Sequence, residues 1–249
     1  MKKRNNIFKF AGACVSERGF VRGTNQDSIL LEILEGKKGN VAIGAVFDGV
    51  GGLERGELAS GLLKAKFREW IDELEKRIDV SETEAETLYA HFKDEIEALN
   101  EELRKFMKKN RIDTGTTLSL ILITKEEFFT LNVGDSRVYL LRDELIKLTN
   151  DDTVVREREG KYKRLLSNYM GKSDELSFSE NYGEIRDGDV FLFCSDGFYH
   201  TLEIFDLTDI KSKNIKPEEI EKELLRIVKI MTDRGETDNI SAGIIKVGF

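Results

Sequence analysis

Five aspartates stand where apolar, strand-like runs meet loops. Asp48 ends the run AVFD ahead of GVGG, Asp135 follows FTLNV, and Asp196 follows VFLFC. Asp238 precedes ISAGIIKV in TDN, and Asp27 precedes SILL in RGTNQDS. One Asp beside Gly is an ordinary turn residue, because its side chain accepts backbone hydrogen bonds. Turn chemistry does not explain why several apolar strands end in Asp rather than Asn or Ser. An isolated carboxylate is costly to bury and tends to protonate, so a converging set calls for cations. All-oxygen ligation suits Mg²⁺ or Mn²⁺. Zinc would want clustered imidazole or thiolate, and the chain has only His91 and His200, with Cys14 and Cys194 far apart. Two such ions roughly 3.5–4 Å apart lower the pKa of a water held between them and stabilise the charge that develops in phosphoryl transfer. Gly49, directly after Asp48, permits close backbone approach. Arg22, just before Asp27, carries a guanidinium that can bind a phosphate through two parallel hydrogen bonds.

Those residues must be positioned by strands. Leu30 to Leu34, the turn EGKKGN and the run VAIGAVF predict a hairpin. Leu63, Phe67, Trp70, Leu74 and Ile78, then Leu88, Phe92, Ile96, Leu99, Leu103 and Phe106, recur at helical spacing and predict an antiparallel helix pair over a sheet. Ser81 and Glu84 have the form of a capping box that starts the second helix. TTLSLILIT, EFFTLNVGD, SRVYLLR and ELIKLT predict strands joined by tight turns at Lys125-Glu126 and Arg142-Asp143. The stretch from Asn150 to about Tyr182 reads as irregular. DVFLFCSDG is a further strand, Pro217 to about Met231 an amphipathic helix, and NISAGIIKV a final strand. Strands in meander order around a helix pair imply two packed antiparallel sheets with helices outside, an α+β fold.

The 249 residues carry one proline and no linker or repeat, which favours one domain spanning residues 1–249. The net charge of −8 argues against nucleic acid as a partner and against an anionic membrane surface. No run is long and apolar enough to insert in a bilayer and no secretion signal is recognisable, so the expected setting is cytoplasmic, as a monomer.

In order, RGTNQDS, VFDGVGG, TGTTLSLILI, VGDSRVYLLRDELIKLTNDD, LLSNYMG, DVFLFCSDGF and TDNISAGI resemble the motifs of metal-dependent protein serine/threonine phosphatases, the protein phosphatase 2C-like (PPM) family, in its bacterial form. The resemblance runs from about Ala13 to Val247. It implies a four-layer α-β-β-α sandwich of two mainly antiparallel sheets flanked by helix pairs, with two Mn²⁺ or Mg²⁺ ions at one edge. Asp48 would bridge the ions, Gly49 would offer its carbonyl to one, and Asp196 and Asp238 would complete the other site. Asp27 belongs to the acidic motif beside them, and Asp135 with Asp196 resembles the ligands of a third, weaker ion. Arg22 takes the place of the phosphate-binding arginine. Water would displace the seryl or threonyl oxygen directly, without a phosphoenzyme. The implied substrates are phosphoserine and phosphothreonine proteins, including a cognate Ser/Thr kinase or its targets.

The chain departs from the family's pattern in four places. Gln26 stands where many relatives have Glu, and Val50 where some have a His that protonates the leaving group. Asp152-Thr153, after Asp151, replaces an Asp-His-Ser motif. The segment before LLSNYMG is short, which predicts a reduced flap whose Arg156, Arg158, Lys161, Lys163 and Arg164 contact acidic or phosphorylated substrates. A pseudophosphatase would have lost ligand carboxylates, and a nuclease fits neither the charge nor the motif order. Reversing the charge of these basic residues is expected to redistribute rates across a phosphopeptide panel; an unchanged panel would refute a contact role.

Overall fold

The predicted hairpin forms with a two-residue turn. Strand β2 (Asp27–Gly36) pairs antiparallel with β3 (Gly39–Asp48), Gly36 lies opposite Gly39, and the unbroken register puts Asp27 opposite Asp48 at the far end. A one-residue slip would turn every side chain of β3 to the other face, so the turn also fixes where the two acids meet. This is a computed structural model, and it describes residues 9–53, 55–158, 161–211 and 216–248.

The hairpin belongs to a five-stranded sheet in the order β10-β5-β4-β3-β2, with β4 (Leu118–Ile123), β5 (Glu127–Val133) and β10 (Ser179–Glu184). A second five-stranded sheet has the order β1-β12-β11-β6-β7, from β1 (Lys9–Glu17), β6 (Arg137–Leu141), β7 (Leu145–Lys147), β11 (Val190–Cys194) and β12 (Ile240–Gly248). Every pairing in both sheets is antiparallel. Helices α1 (Gly56–Arg77) and α2 (Ala85–Asn110) bury Leu63, Phe67, Phe92 and Ile96 against the first sheet. The second sheet is covered by α4 (Pro217–Asp233), through Ile220, Leu224 and Ile227, and by the short α3 (Asp196–Tyr199). A third apolar layer, including Val46, Ile121, Phe191 and Ile245, lies between the sheets. These layers are the α-β-β-α sandwich implied by the motifs. Cys14 and Cys194 are free, the first half-buried and the second buried. Among the described residues, no helix is long and apolar enough to cross a membrane.

Two local expectations change. Ser81 does not cap α2: its hydroxyl donates to Asp79 at 2.6 Å and accepts from the Lys38 amide, while Glu84 stands at the N-cap without a side-chain bond. The nearer carboxylate of Asp79 takes the hydroxyl and ties the α1–α2 connection to the β2–β3 turn. The stretch after Asn150 is also more ordered than it reads. It contains edge strand β10 and a separate antiparallel ribbon, β8 (Thr153–Arg158) with β9 (Lys161–Leu166). Neither segment has a continuously buried face, so neither shows a strong period-two signal.

Phe193 locks the sheets together. On β11 it pairs with Gly243 of β12, and a Cβ built there would sit 2.1 Å from its ring; one built on Gly44 of the opposite sheet would sit 2.5 Å away. The ring therefore occupies two glycine notches, one in each sheet. Gly243→Ala is expected to cost about 1–3 kcal/mol by overpacking, read as a shift in urea midpoint, and Phe193→Leu in the same chain should recover part of the loss. Additive losses would show that the ring and the glycine do not share the space.

Candidate active site

The five aspartates lie at the end of the sandwich where the sheets open. Asp48 is held by its backbone: its amide donates to the Thr117 hydroxyl at 3.1 Å, and its carbonyl accepts from the Thr117 amide and the Thr116 hydroxyl, each at 2.8 Å. The TGTT segment thus fixes the main chain and leaves the Asp48 carboxylate free. Gly49 is closely packed. A Cβ there would come within 2.7 Å of Gly56 at the start of α1 and 2.8 Å of the Gln26 carbonyl. Gly197, after Asp196, has no room either, since its Cβ would meet the Asn239 carbonyl at 2.1 Å.

Asn239 draws the second half of the site together. Its side-chain amide donates to the carbonyls of Arg18 and Thr24, and its oxygen accepts from the Gln26 amide. One side chain therefore clamps the loop that carries Arg22 onto the strand end that carries Asp238. Arg22 Nη2 donates to Asp238 Oδ2 at 2.5 Å. Sequence reasoning quoted TDN for its Asp and missed this role of the Asn, whose partners lie more than 200 residues away in the chain.

Electrostatics mark the cluster as short of positive charge. Burial first, then Asp27 and Asp196, hold the Asp48 carboxyl well above the ordinary carboxylate range. Burial pushes Asp27 up to about 6, although the nearby hydroxyls of Ser241 and Ser195 pull the other way. Burial raises Asp196 too, and His200 partly offsets it; Asp135 is pushed to about 6 by burial and by Asp196. Neither carboxylate oxygen of the buried Asp27 has a partner in hydrogen-bonding geometry. The hydrogen bond to Asp238 is the main cause of a raised Arg22 pKa. Among the described residues no group of three or more His, Cys, Asp or Glu side chains stands ready-made to hold a metal ion.

Neighbouring motifs have structural work. Asp151 accepts both forks of Arg137, at 3.0 and 2.7 Å, and the Arg137 guanidinium stacks 3.6 Å from the Tyr199 ring. Asp152 accepts from the Gly134 amide and from Asn168, which anchors both ends of the β8–β9 ribbon. Val50 is buried and offers no proton, whereas half-exposed His200 lies 3.9 Å from Asp196 and 3.8 Å from Glu236. That imidazole also escaped the sequence reading.

Aspartates and one guanidinium at the strand ends of an α-β-β-α sandwich are the arrangement that the ordered sequence motifs implied. The chain belongs to the protein phosphatase 2C family, whose profile matches residues 22–237. It is 29% identical over 249 residues to the serine/threonine protein phosphatase PstP of Mycobacterium tuberculosis, and that match spans 94% of this chain but only 44% of PstP. A serine/threonine phosphatase, stp, of Listeria welshimeri is 27% identical, with 93% of each chain covered. The catalytic domain of PstP in complex with two manganese ions superposes with a TM-score of 0.76 at 26% identity, covering 97% of this chain and 100% of that one.

The raised carboxyls have a consequence for stability. Folded Asp27 binds its proton more tightly than the unfolded chain does, so in chelator stability should fall as pH rises from about 4 through about 6 and then level. Asp27→Asn removes the unpartnered charge. It is expected to stabilise the chelated protein at pH 7.5 by on the order of 2 kcal/mol and to flatten this slope, as followed by thermal melts. A variant no more stable than wild type would mean that the carboxylate is already satisfied.

Proposed function

We propose that the chain is a Mn²⁺- or Mg²⁺-dependent protein phosphatase that hydrolyses phosphoserine and phosphothreonine monoesters on proteins, opposing a Ser/Thr kinase. The observation that carries this reading is the cluster of Asp27, Asp48, Asp135, Asp196 and Asp238 around one guanidinium, with the buried oxygens of Asp27 left unpartnered. Hard oxygen donors in excess of local positive charge fit divalent cations. The names of the relatives, and the two manganese ions in the PstP structure, support the same chemistry.

Asp48 would bridge two ions, with the Gly49 carbonyl on one of them and Asp196 and Asp238 on the other. Asp135 with Asp196 would serve a third, weaker one. When bound, the ions supply an activated water and neutralise charge on the phosphoryl oxygens. Asp27, opposite Asp48 in the β2–β3 register, would add negative charge beside the ions. Arg22 donates one hydrogen bond, from Nη2, to Asp238 at 2.5 Å, and its guanidinium would offer two parallel donors to a phosphate dianion in the same cleft. Water attacks phosphorus as the bond to the seryl or threonyl oxygen breaks. Buried Val50 cannot supply the proton for that leaving oxygen, which must then come from water.

Phosphate release from a phosphothreonine peptide, with and without Mn²⁺, tests the reading. Activity should require the ion, and Asp48→Asn should lower kcat on the order of a hundredfold or more. Arg22→Ala should raise KM about tenfold. Turnover that survives chelation, or full activity of Asp48→Asn, would contradict the mechanism.

A further inference from the structure

The loop between β1 and β2 places Phe20 and Val21 immediately before Arg22, and they are 82% and 67% exposed. Two adjacent apolar side chains left open to water at the rim of an acidic cleft mark a contact surface rather than a packing accident. The loop that presents them is firmly held. Gly19 has φ +72°, and a Cβ there would meet the Asp238 carbonyl at 2.5 Å; Arg18 donates to the Arg22 carbonyl at 2.7 Å; and Asn239 holds the carbonyls of Arg18 and Thr24. The backbone that carries Phe20 is therefore held in place, two residues from the Arg22 guanidinium.

Between Phe20 and α4 runs a groove of about 350 Å³, lined by Gly19, Leu225 and Val228 together with Glu17, Lys229 and Asp233. Leu225 is 43% exposed and is an unusual residue for a solvent-facing position of an amphipathic helix. One loop borders both the groove and the site: Gly19 and Phe20 line the groove, Gly19 lies against the Asp238 carbonyl, and Arg22 pairs with the Asp238 carboxylate.

Resting on the phosphatase reading, we propose that this groove is a substrate subsite that takes an apolar side chain next to the phosphorylated residue. A peptide whose phosphate is held by Arg22 must cross this loop on one side of the phosphoresidue. An apolar side chain there would cover Phe20 and Leu225. An acidic one would face Glu17 and Asp233 with only Lys229 to offset them. The volume of about 350 Å³ suits one or two side chains. The basic β8–β9 ribbon would then read a different part of the same substrate.

The test uses phosphothreonine peptides that differ only in carrying Leu or Asp at positions flanking the phosphoresidue. Wild type in Mn²⁺ should favour a Leu peptide about tenfold in kcat/KM. In Leu225→Glu and in Phe20→Ser that preference should shrink to about twofold, mainly through KM; both positions are solvent-exposed, so the fold is not at risk. Hydrolysis of p-nitrophenyl phosphate by wild type, together with equal rates on the Leu and Asp peptides, would overturn the subsite and leave the phosphatase reading intact. Retained discrimination in Leu225→Glu would overturn it as well. If wild type hydrolyses neither p-nitrophenyl phosphate nor peptide, the phosphatase reading fails. Fluorescence anisotropy of the labelled peptides on wild type and Leu225→Glu then decides the subsite alone. Tighter binding of the Leu peptide by wild type only supports it, and equal binding refutes it.

Discussion

Repulsion among like charges is the constraint on which the rest of this structure depends. Five carboxylates are held in one cleft against a single guanidinium, and burial keeps several of them above their ordinary pKa. Left to relax, such a set would spread into water. It stays together because the backbone around each acid is tied down by groups that are not themselves charged: the Thr116 and Thr117 hydroxyls at Asp48, the Asn239 amide beside Asp238, and the glycines that admit no side chain. Neutral hydrogen bonds restrain the main chain while the side-chain charge stays available for a ligand.

The spacing of the cluster is also a property of the sandwich. Asp27 and Asp48 come from one sheet, Asp196 and Asp238 flank strands of the other, and Asp135 sits on the β5–β6 connection between them. The distance between these halves is set by how closely the sheets approach, and Phe193, seated against Gly44 and Gly243, sets that approach near the core. A packing contact well inside the molecule thus bears on the spacing of the carboxylates at its edge. Interiors packed as densely as organic crystals transmit such displacements instead of absorbing them.

Much of this was legible in the sequence, for identifiable reasons. Strongly periodic segments such as Leu63 to Ile78 and the turn EGKKGN state their geometry locally, and the five Asp residues declared themselves because each interrupts an apolar run. The ribbon β8–β9 and strand β10 were not legible, since they bury no continuous face and hydrophobic periodicity has nothing to report. Ser81 misled because a capping signature is a statement about sequence spacing, and Asp79, closer in space, won its hydroxyl. Asn239 and His200 were invisible for a third reason. Their partners lie far away in the chain or across a turn, so their roles exist only once the loops meet.

The β8–β9 ribbon belongs to neither sheet, and it leaves and rejoins the body of the protein at one point. The Asp152 amide donates to the Gly134 carbonyl, and the Ser167 amide donates to the Asp152 carbonyl. An excursion whose ends already touch adds little closure entropy when its length changes. The ribbon is therefore a module in the evolutionary sense. Its length and charge can change without disturbing strand register in either sheet.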